Sequence, residues 1–91
     1  MYILITYDIS STKKRNKIDK ILSSYGVRVN FSVFELDIKS HILEKLKVDL
    51  KKYMDKNDSI RIYILNKTSM QSAIELNEKR KLPFFKDEAY V

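Results

Sequence analysis

The sequence has no cysteine, no tryptophan, one glycine, one proline and one histidine among 91 residues. Without cysteine there is no disulfide framework, no thiolate zinc site and no thiol nucleophile. His41 alone cannot build a Ser-His-Asp triad or a multi-histidine metal site within one chain. A single glycine, Gly26, rules out glycine-rich phosphate loops. No apolar run approaches the ~20 residues needed to span a bilayer. No basic region precedes the first apolar stretch, so a cytoplasmic protein with no membrane contact is expected. Any catalysis must rest on carboxylates, hydroxyls, a metal or bases.

What the chain does have is a 44% hydrophobic composition in a length that suits one small globular domain. At this size roughly two-thirds of the unfolded surface can be buried, which makes one modest core with little reserve and favours pairing with a second copy. Lys and Arg number 18 against 12 Asp and Glu, for a net charge of +6. That balance favours contact with polyanions. Lys13, Lys14, Arg15, Lys17 and Lys20 are opposed only by Asp19 between positions 13 and 20, so most of the excess lies in one segment.

Tyr2 to Tyr7 reads as a buried strand from its Ile, Leu, Thr and Tyr content. Ser10, Ser11 and Thr12 offer caps for a helix over 12–24, with Ile18, Ile21, Leu22 and Tyr25 as its core stripe. Gly26 fits a left-handed stop to that helix. Val27 and Val29, then Val33, Phe34, Leu36 and Ile38, read as two strands joined by a turn near 30–32. Ser40 is a candidate cap for a second helix running to about Lys56, whose buried face carries Ile42, Leu43, Leu46, Leu50, Tyr53 and Met54. Asn57-Asp58-Ser59 signals a turn. Residues 59–66 alternate, with Ile60, Ile62 and Ile64 on one face and Arg61, Tyr63 and Leu65 on the other, which suggests a central or covered strand.

The order β-α-β-β-α-β is that of an α+β, ferredoxin-like split βαβ domain, a four-stranded antiparallel sheet with both helices on one face. The other face needs cover. Residues 1–66 form the core of this one domain. Residues 67–91 hold a polar connector, the patch Ser72-Ala73-Ile74-Glu75-Leu76, the run Lys79-Arg80-Lys81 and the apolar Leu82-Pro83-Phe84-Phe85. This C-terminal segment is expected to pack on a partner protomer or to add a strand to its sheet edge.

Asp8 ends the first apolar run, where a carboxylate is costly unless a metal, a base or water receives it. Taken alone, it reads as a strand-end residue capping the helix near 10–12. Arg15 and Asp19 are spaced for an i,i+4 pair on a solvated face. Tyr7, Tyr25, Phe31 and Phe34 suit core and dimer packing better than base stacking. Ser10 and Ser32 suit capping and turn formation as well as they suit orienting a phosphate or a metal-bound water. His41 reads as a helix-start residue.

Two blocks go beyond fold. Tyr7-Asp8-Ile9-Ser10 followed by Lys14-Arg15, and Tyr25-Gly26-Val27-Arg28-Val29-Asn30-Phe31-Ser32-Val33-Phe34-Glu35, resemble at this spacing the small CRISPR-associated protein two family. These are companion subunits of the CRISPR spacer integrase, and Ser-Val-Phe-Glu is the most specific part. Asn30 stands where glutamine is usual and Lys14 where arginine is usual, which alters hydrogen-bond reach and phosphate contact there.

The resemblance implies a ferredoxin-like homodimer whose last strand crosses to the partner. It also implies a pair of symmetry-related Asp8 carboxylates able to hold Mg²⁺ or another divalent metal, with Asp8 as the catalytic residue. Such a metal can activate water and neutralise a phosphodiester oxygen. Lys13, Lys14, Arg15, Lys17 and Arg28 are the candidate phosphate contacts, supported by Tyr7, Ser10, Asn30 and Ser32. The expected role is scaffolding the CRISPR integrase on protospacer duplex DNA during spacer acquisition, with Mg²⁺-dependent endonuclease activity on RNA or DNA as a second capacity. The alternative is a free-standing, metal-dependent endoribonuclease of toxin type acting on single-stranded RNA.

Overall fold

The computed structural model describes residues 1–80 and 82. Strand β1 spans Tyr2–Asp8, helix α1 Thr12–Ser23, β2 Gly26–Asn30, β3 Val33–Asp37, α2 Ser40–Lys51, β4 Ser59–Leu65 and α3 Lys67–Gln71. The strands lie in the order β2-β3-β1-β4 and every neighbouring pair is antiparallel. This is the expected ferredoxin-like arrangement.

Alternation along β1 decides the layering. Ile3, Ile5 and Tyr7 are buried, whereas Tyr2, Leu4, Thr6 and Asp8 point to the opposite face. The buried set joins Phe34 and Leu36 of β3, Ile18 and Leu22 of α1, and Leu43, Leu46 and Leu50 of α2 in one core. Each of these larger side chains contributes roughly 1.5–3 kcal/mol by leaving water. Helices α1 and α2 therefore cover one face, and the helix-free face is the one that neither of these two covers. Ser11 caps α1 by accepting a 3.2 Å bond from the Lys14 amide.

Several sequence expectations need correction. Gly26 does not end α1 in the left-handed region, since no glycine has a positive φ. It begins β2, where a Cβ would lie 2.3 Å from the Glu35 carbonyl oxygen and 2.7 Å from Leu36 Cγ. Close strand approach, not a left-handed turn, requires glycine. Ser40 lies inside α2, whose cap position is Lys39 without a side-chain bond. The helix ends at Lys51, because Tyr53 and Met54 bond back three residues, to Leu50 and Lys51, and tighten the chain into turns.

Strand β4 is an edge strand, not a central one: only β1 pairs with it among the described residues. Its apolar residues are correspondingly bare, Ile64 being 62% and Tyr63 45% exposed. The supposed polar connector contains α3, capped by Asn66 Oδ1 accepting from the Ser69 amide at 2.7 Å, and it buries Met70. Residues 81 and 83–91, which include Pro83-Phe84-Phe85, lie outside the described residues. Tyr7 and Phe34 are buried and Tyr25 packs against the core as expected, but Phe31 is 87% exposed at the β2–β3 turn.

Candidate metal and nucleic-acid site

The helix-free face carries Asp8 at one end of β1, opposite Ser59 of β4. The carboxylate is exposed and, among the described residues, makes no hydrogen bond or ion pair. It opens into a cleft of about 370 Å³ lined also by Thr6, Tyr7, Ser59, Arg61 and Tyr63. The capping role is taken by Ser11, which removes the local structural reason for an acid at position 8.

Immediately after Asp8 the chain is clamped. The Ser10 amide and hydroxyl both donate to Asp58 Oδ1 at 3.0 Å, and the Asp55 amide donates to Asp58 Oδ2 at 2.7 Å. These bonds, the two backbone ones foremost, hold the Asp58 carboxyl below the usual carboxylate range. Lys14 forms an ion pair with Asp55 in the same turn. Ser10 thus fixes the β1–α1 loop against the α2–β4 turn.

A second polar cluster joins the helix layer to the sheet. Arg28 Nη2 lies 2.7 Å from Asp19 Oδ2, and its guanidinium stands 5.3 Å from the centre of the Phe34 ring. The Tyr7 hydroxyl donates to Asp19 and lies 3.3 Å from the Phe31 carbonyl. Burial, and then the Asp19 carboxylate, push the Tyr7 hydroxyl up to about 12. The anticipated Arg15–Asp19 pair is not formed. A register shift between Arg28 and Asn30 marks a bulge in β2 that pairs Arg28 with Phe34 on the helix-covered face, within reach of Asp19. Arg15 instead donates to the Ile9 carbonyl at 3.5 Å and to Thr12 Oγ1 at 3.3 Å.

The five candidate phosphate contacts therefore separate. Lys14 and Arg28 are held by acids and Arg15 is half-buried. Lys13 and Lys17 are exposed without an acidic partner among the described residues, and with Lys20 they form an i, i+4, i+7 row on α1. Asn30 Oδ1 accepts from the Phe31 amide at 2.8 Å, and the Ser32 carbonyl accepts from the Tyr7 amide at 3.1 Å, so both brace the hairpin tip.

No cluster of three or more His, Asp or Glu occurs among the described residues. Asp58 has both oxygens engaged, which leaves Asp8 as a free carboxylate at this end of the sheet among the described residues. Magnesium is commonly held by one or two carboxylates with water and substrate phosphates completing its shell. The Asp8 carboxylate would supply one ligand to such a metal.

The protein family described as CRISPR associated protein Cas2 matches residues 1–73. The chain belongs to the Cas2 family. A Chloroflexus aurantiacus protein named CRISPR-associated endoribonuclease Cas2 3 is 37% identical over 75 residues, covering 81% of each chain. The CRISPR-associated endonuclease Cas2 of Halalkalibacterium halodurans is 42% identical over 71 residues, which cover 71% of this chain and 74% of that one. The crystal structure of Streptococcus pyogenes Cas2 superposes with a TM-score of 0.75 at 32% identity, over 85% of this chain and all of that one. A chain from a partial Cas6-RT-Cas1–Cas2 complex gives a TM-score of 0.71 at 30% identity, covering 82% and 89%.

Within this Cas2 fold, Arg61 and Tyr63 are the site residues that sequence reasoning passed over. Their signal was the alternation of β4, which put them on one face, while nothing local said that β4 would lie beside Asp8. The sequence around Asp58 marks it only as a turn residue, because its partner Ser10 is 48 positions away.

Proposed function

We propose that this Cas2 protein is a homodimeric subunit of the CRISPR adaptation machinery that bridges integrase subunits and holds protospacer duplex DNA. The likeness to a Cas2-containing complex with Cas1 carries this reading. The helix-free sheet face and the β4 edge, unpaired among the described residues, support pairing with a second copy, since one chain leaves apolar side chains such as Val27 and Tyr63 45% exposed. The expected result of sedimentation with the cognate integrase is a stable complex containing two copies of this chain. Sedimentation of the two proteins as separate species would refute the reading.

Duplex contact in this account is electrostatic. The Lys13, Lys17 and Lys20 row presents charge to phosphates without reading bases. Affinity falls steeply with salt, by about 0.9 log unit per log unit of salt for each phosphate neutralised. A triple replacement of these lysines by alanine is expected to reduce the salt slope by about 2–3. Fluorescence anisotropy across a salt series measures it. An unchanged slope would move the interface elsewhere.

A second activity is favoured by the unengaged Asp8 carboxylate and by relatives named endoribonuclease and endonuclease. In a dimer, the Asp8 carboxylates of two copies would hold Mg²⁺, and the metal would supply electrostatic stabilisation and a more acidic water. The chain's own contribution is positional. The Ser10–Asp58 clamp fixes the backbone beyond Asp8, and Arg61, in the same cleft, offers a cation to the phosphodiester.

The helix-free face also makes a prediction about pH. Glu35 pairs in register with Leu4 and Val27, and its Oε2 is buried without a hydrogen-bond partner among the described residues. Burial raises its carboxyl above the usual range. The folded state therefore prefers Glu35 protonated, so its contribution to stability is present at low pH and is lost as pH rises through the folded-state value. Glu35→Gln is expected to raise the thermal midpoint of the protomer at pH 7 by a few degrees and to leave it unchanged below about pH 4. Calorimetry at the two pH values checks this; equal midpoints at pH 7 would mean that a partner group satisfies the carboxylate.

A further inference from the structure

The β2–β3 turn displays a large aromatic side chain where most turns display a polar one. Phe31 is 87% exposed, although Tyr7 and Phe34, its aromatic neighbours in the sheet, are buried. A single exposed hydrophobic residue needs no special explanation. Its setting does. Phe31 lines two clefts, one of about 310 Å³ shared with Arg15, Asp19, Arg28 and Ser32, and one of about 260 Å³ shared with Arg28, Val29, Asn30 and Arg80.

The tip is held rigid from three directions. Asn30 Oδ1 accepts from the Phe31 amide at 2.8 Å, the Tyr7 amide donates to the Ser32 carbonyl at 3.1 Å, and the Tyr7 hydroxyl lies 3.3 Å from the Phe31 carbonyl. Arg80 is brought to the same place from 51 positions along the chain, with Nη2 donating to the Val29 carbonyl at 3.1 Å and Nε 3.8 Å from Glu75. An exposed ring on a fixed turn, flanked by guanidinium groups, offers a π-face for an unpaired base and cations for the adjoining phosphates. The ordering cost on binding is small because the backbone of the turn is already fixed.

We infer that the Phe31 tip is a stacking site for an unpaired nucleobase, with Arg80 and Arg15 facing the flanking phosphates of a single strand. The inference rests on the nucleic-acid reading above and extends it from the duplex to single-stranded segments. It requires no particular base, since every base has a π-face. The tip also lies at the Asp8 end of the sheet, because Val33 pairs with Thr6 and Ser32 bonds Tyr7. A strand anchored at Phe31 is thus seated at the end of the fold that carries the free carboxylate.

The absence of native tryptophan supplies the test. Anisotropy of a labelled twelve-nucleotide oligothymidine and of a blunt duplex is measured with the full chain, Phe31→Ala and Phe31→Trp. Loss of one base stack predicts a fall of about tenfold in single-strand affinity for Phe31→Ala, little change on the duplex, and restored binding in Phe31→Trp. The introduced indole is the sole tryptophan, and its emission is expected to be quenched by oligothymidine but not by an abasic strand of equal length. Several results would overturn the inference. They are unchanged single-strand affinity in Phe31→Ala, an unquenched indole, or no single-strand binding by the native chain. Equal losses on both nucleic acids accompanied by dissociation in sedimentation would assign Phe31 to contact between copies. Native duplex binding in the same titration separates these failures from failure of the broader reading.

Discussion

Replacing Gly26 with alanine is expected to lower stability by about 2–3 kcal/mol, a fall in thermal midpoint of roughly 10–20 °C for a domain this size. The added Cβ would sit 2.3 Å from the Glu35 carbonyl oxygen, which is backbone and cannot turn aside, and 2.7 Å from Leu36 Cγ. Relief requires β2 to move away from β3, and that movement disturbs more than packing. Arg28 follows two residues later, so its approach to Asp19 and its position over Phe34 would loosen together. Val48→Ala is the control, because Val48 of α2 is exposed, lies off the sheet face proposed to pair, and its truncation should change stability by less than about 0.5 kcal/mol. Chemical or thermal denaturation of both variants measures the difference. A Gly26→Ala protein as stable as the control would show that β2 is not held as tightly as the strand spacing requires.

Asp8→Asn is expected to do the reverse, leaving the fold intact and removing chemistry. In the protomer the Asp8 carboxylate makes no hydrogen bond or ion pair among the described residues, so the amide disturbs nothing and stability should stay within about 0.5 kcal/mol. If Asp8 holds a catalytic metal, losing the negative ligand forfeits several kcal/mol of transition-state stabilisation, so metal-dependent cleavage should fall by ~10²-fold or more. Cleavage of labelled RNA and DNA with and without Mg²⁺, on protein of verified fold and oligomeric state, provides the measurement. Metal-dependent cleavage that survives in Asp8→Asn would remove the carboxylate from the mechanism.

The element order was legible because short apolar strands and two helical stripes alternate with clear turn signals. Ile3, Ile5 and Tyr7 against Tyr2, Leu4, Thr6 and Asp8 is a period of two that can be counted directly, and the Leu43, Leu46 and Leu50 stripe is equally plain. What could not be read is set by pairing between distant segments. Gly26 looked like a helix stop because glycine commonly ends helices; its actual constraint is the β3 backbone across the sheet. Arg15 seemed the partner of Asp19 by helical spacing, but a bulge in β2 brought Arg28 there first. The two-sided apolar pattern of β4 suggests a central or covered strand, whereas among the described residues it lies at the edge.

The site was legible in kind more than in detail. Asp8 is where the motif put it, at an exposed strand end, and Ser11 rather than Asp8 serves the helix. Lys14 and Arg28, equal members of the basic set in sequence, are each engaged by a carboxylate in the fold. Sequence spacing could not distinguish them from Lys13 and Lys17, because Lys14 meets Asp55 of the turn after α2 and Arg28 reaches Asp19 of α1 from β2. Phe31 shared its apolar surroundings with Phe34, but the two-residue turn reversed its fate and left the ring in solvent.

Spacer integration in vitro with the cognate integrase tests the central claim most directly, comparing reactions without this protein, with the native chain and with Asp8→Asn. The account predicts that integration depends on adding the protein and proceeds equally well with the native and substituted chains, since the bridging role is geometric. Integration that is no faster with either protein than with the integrase alone would contradict it.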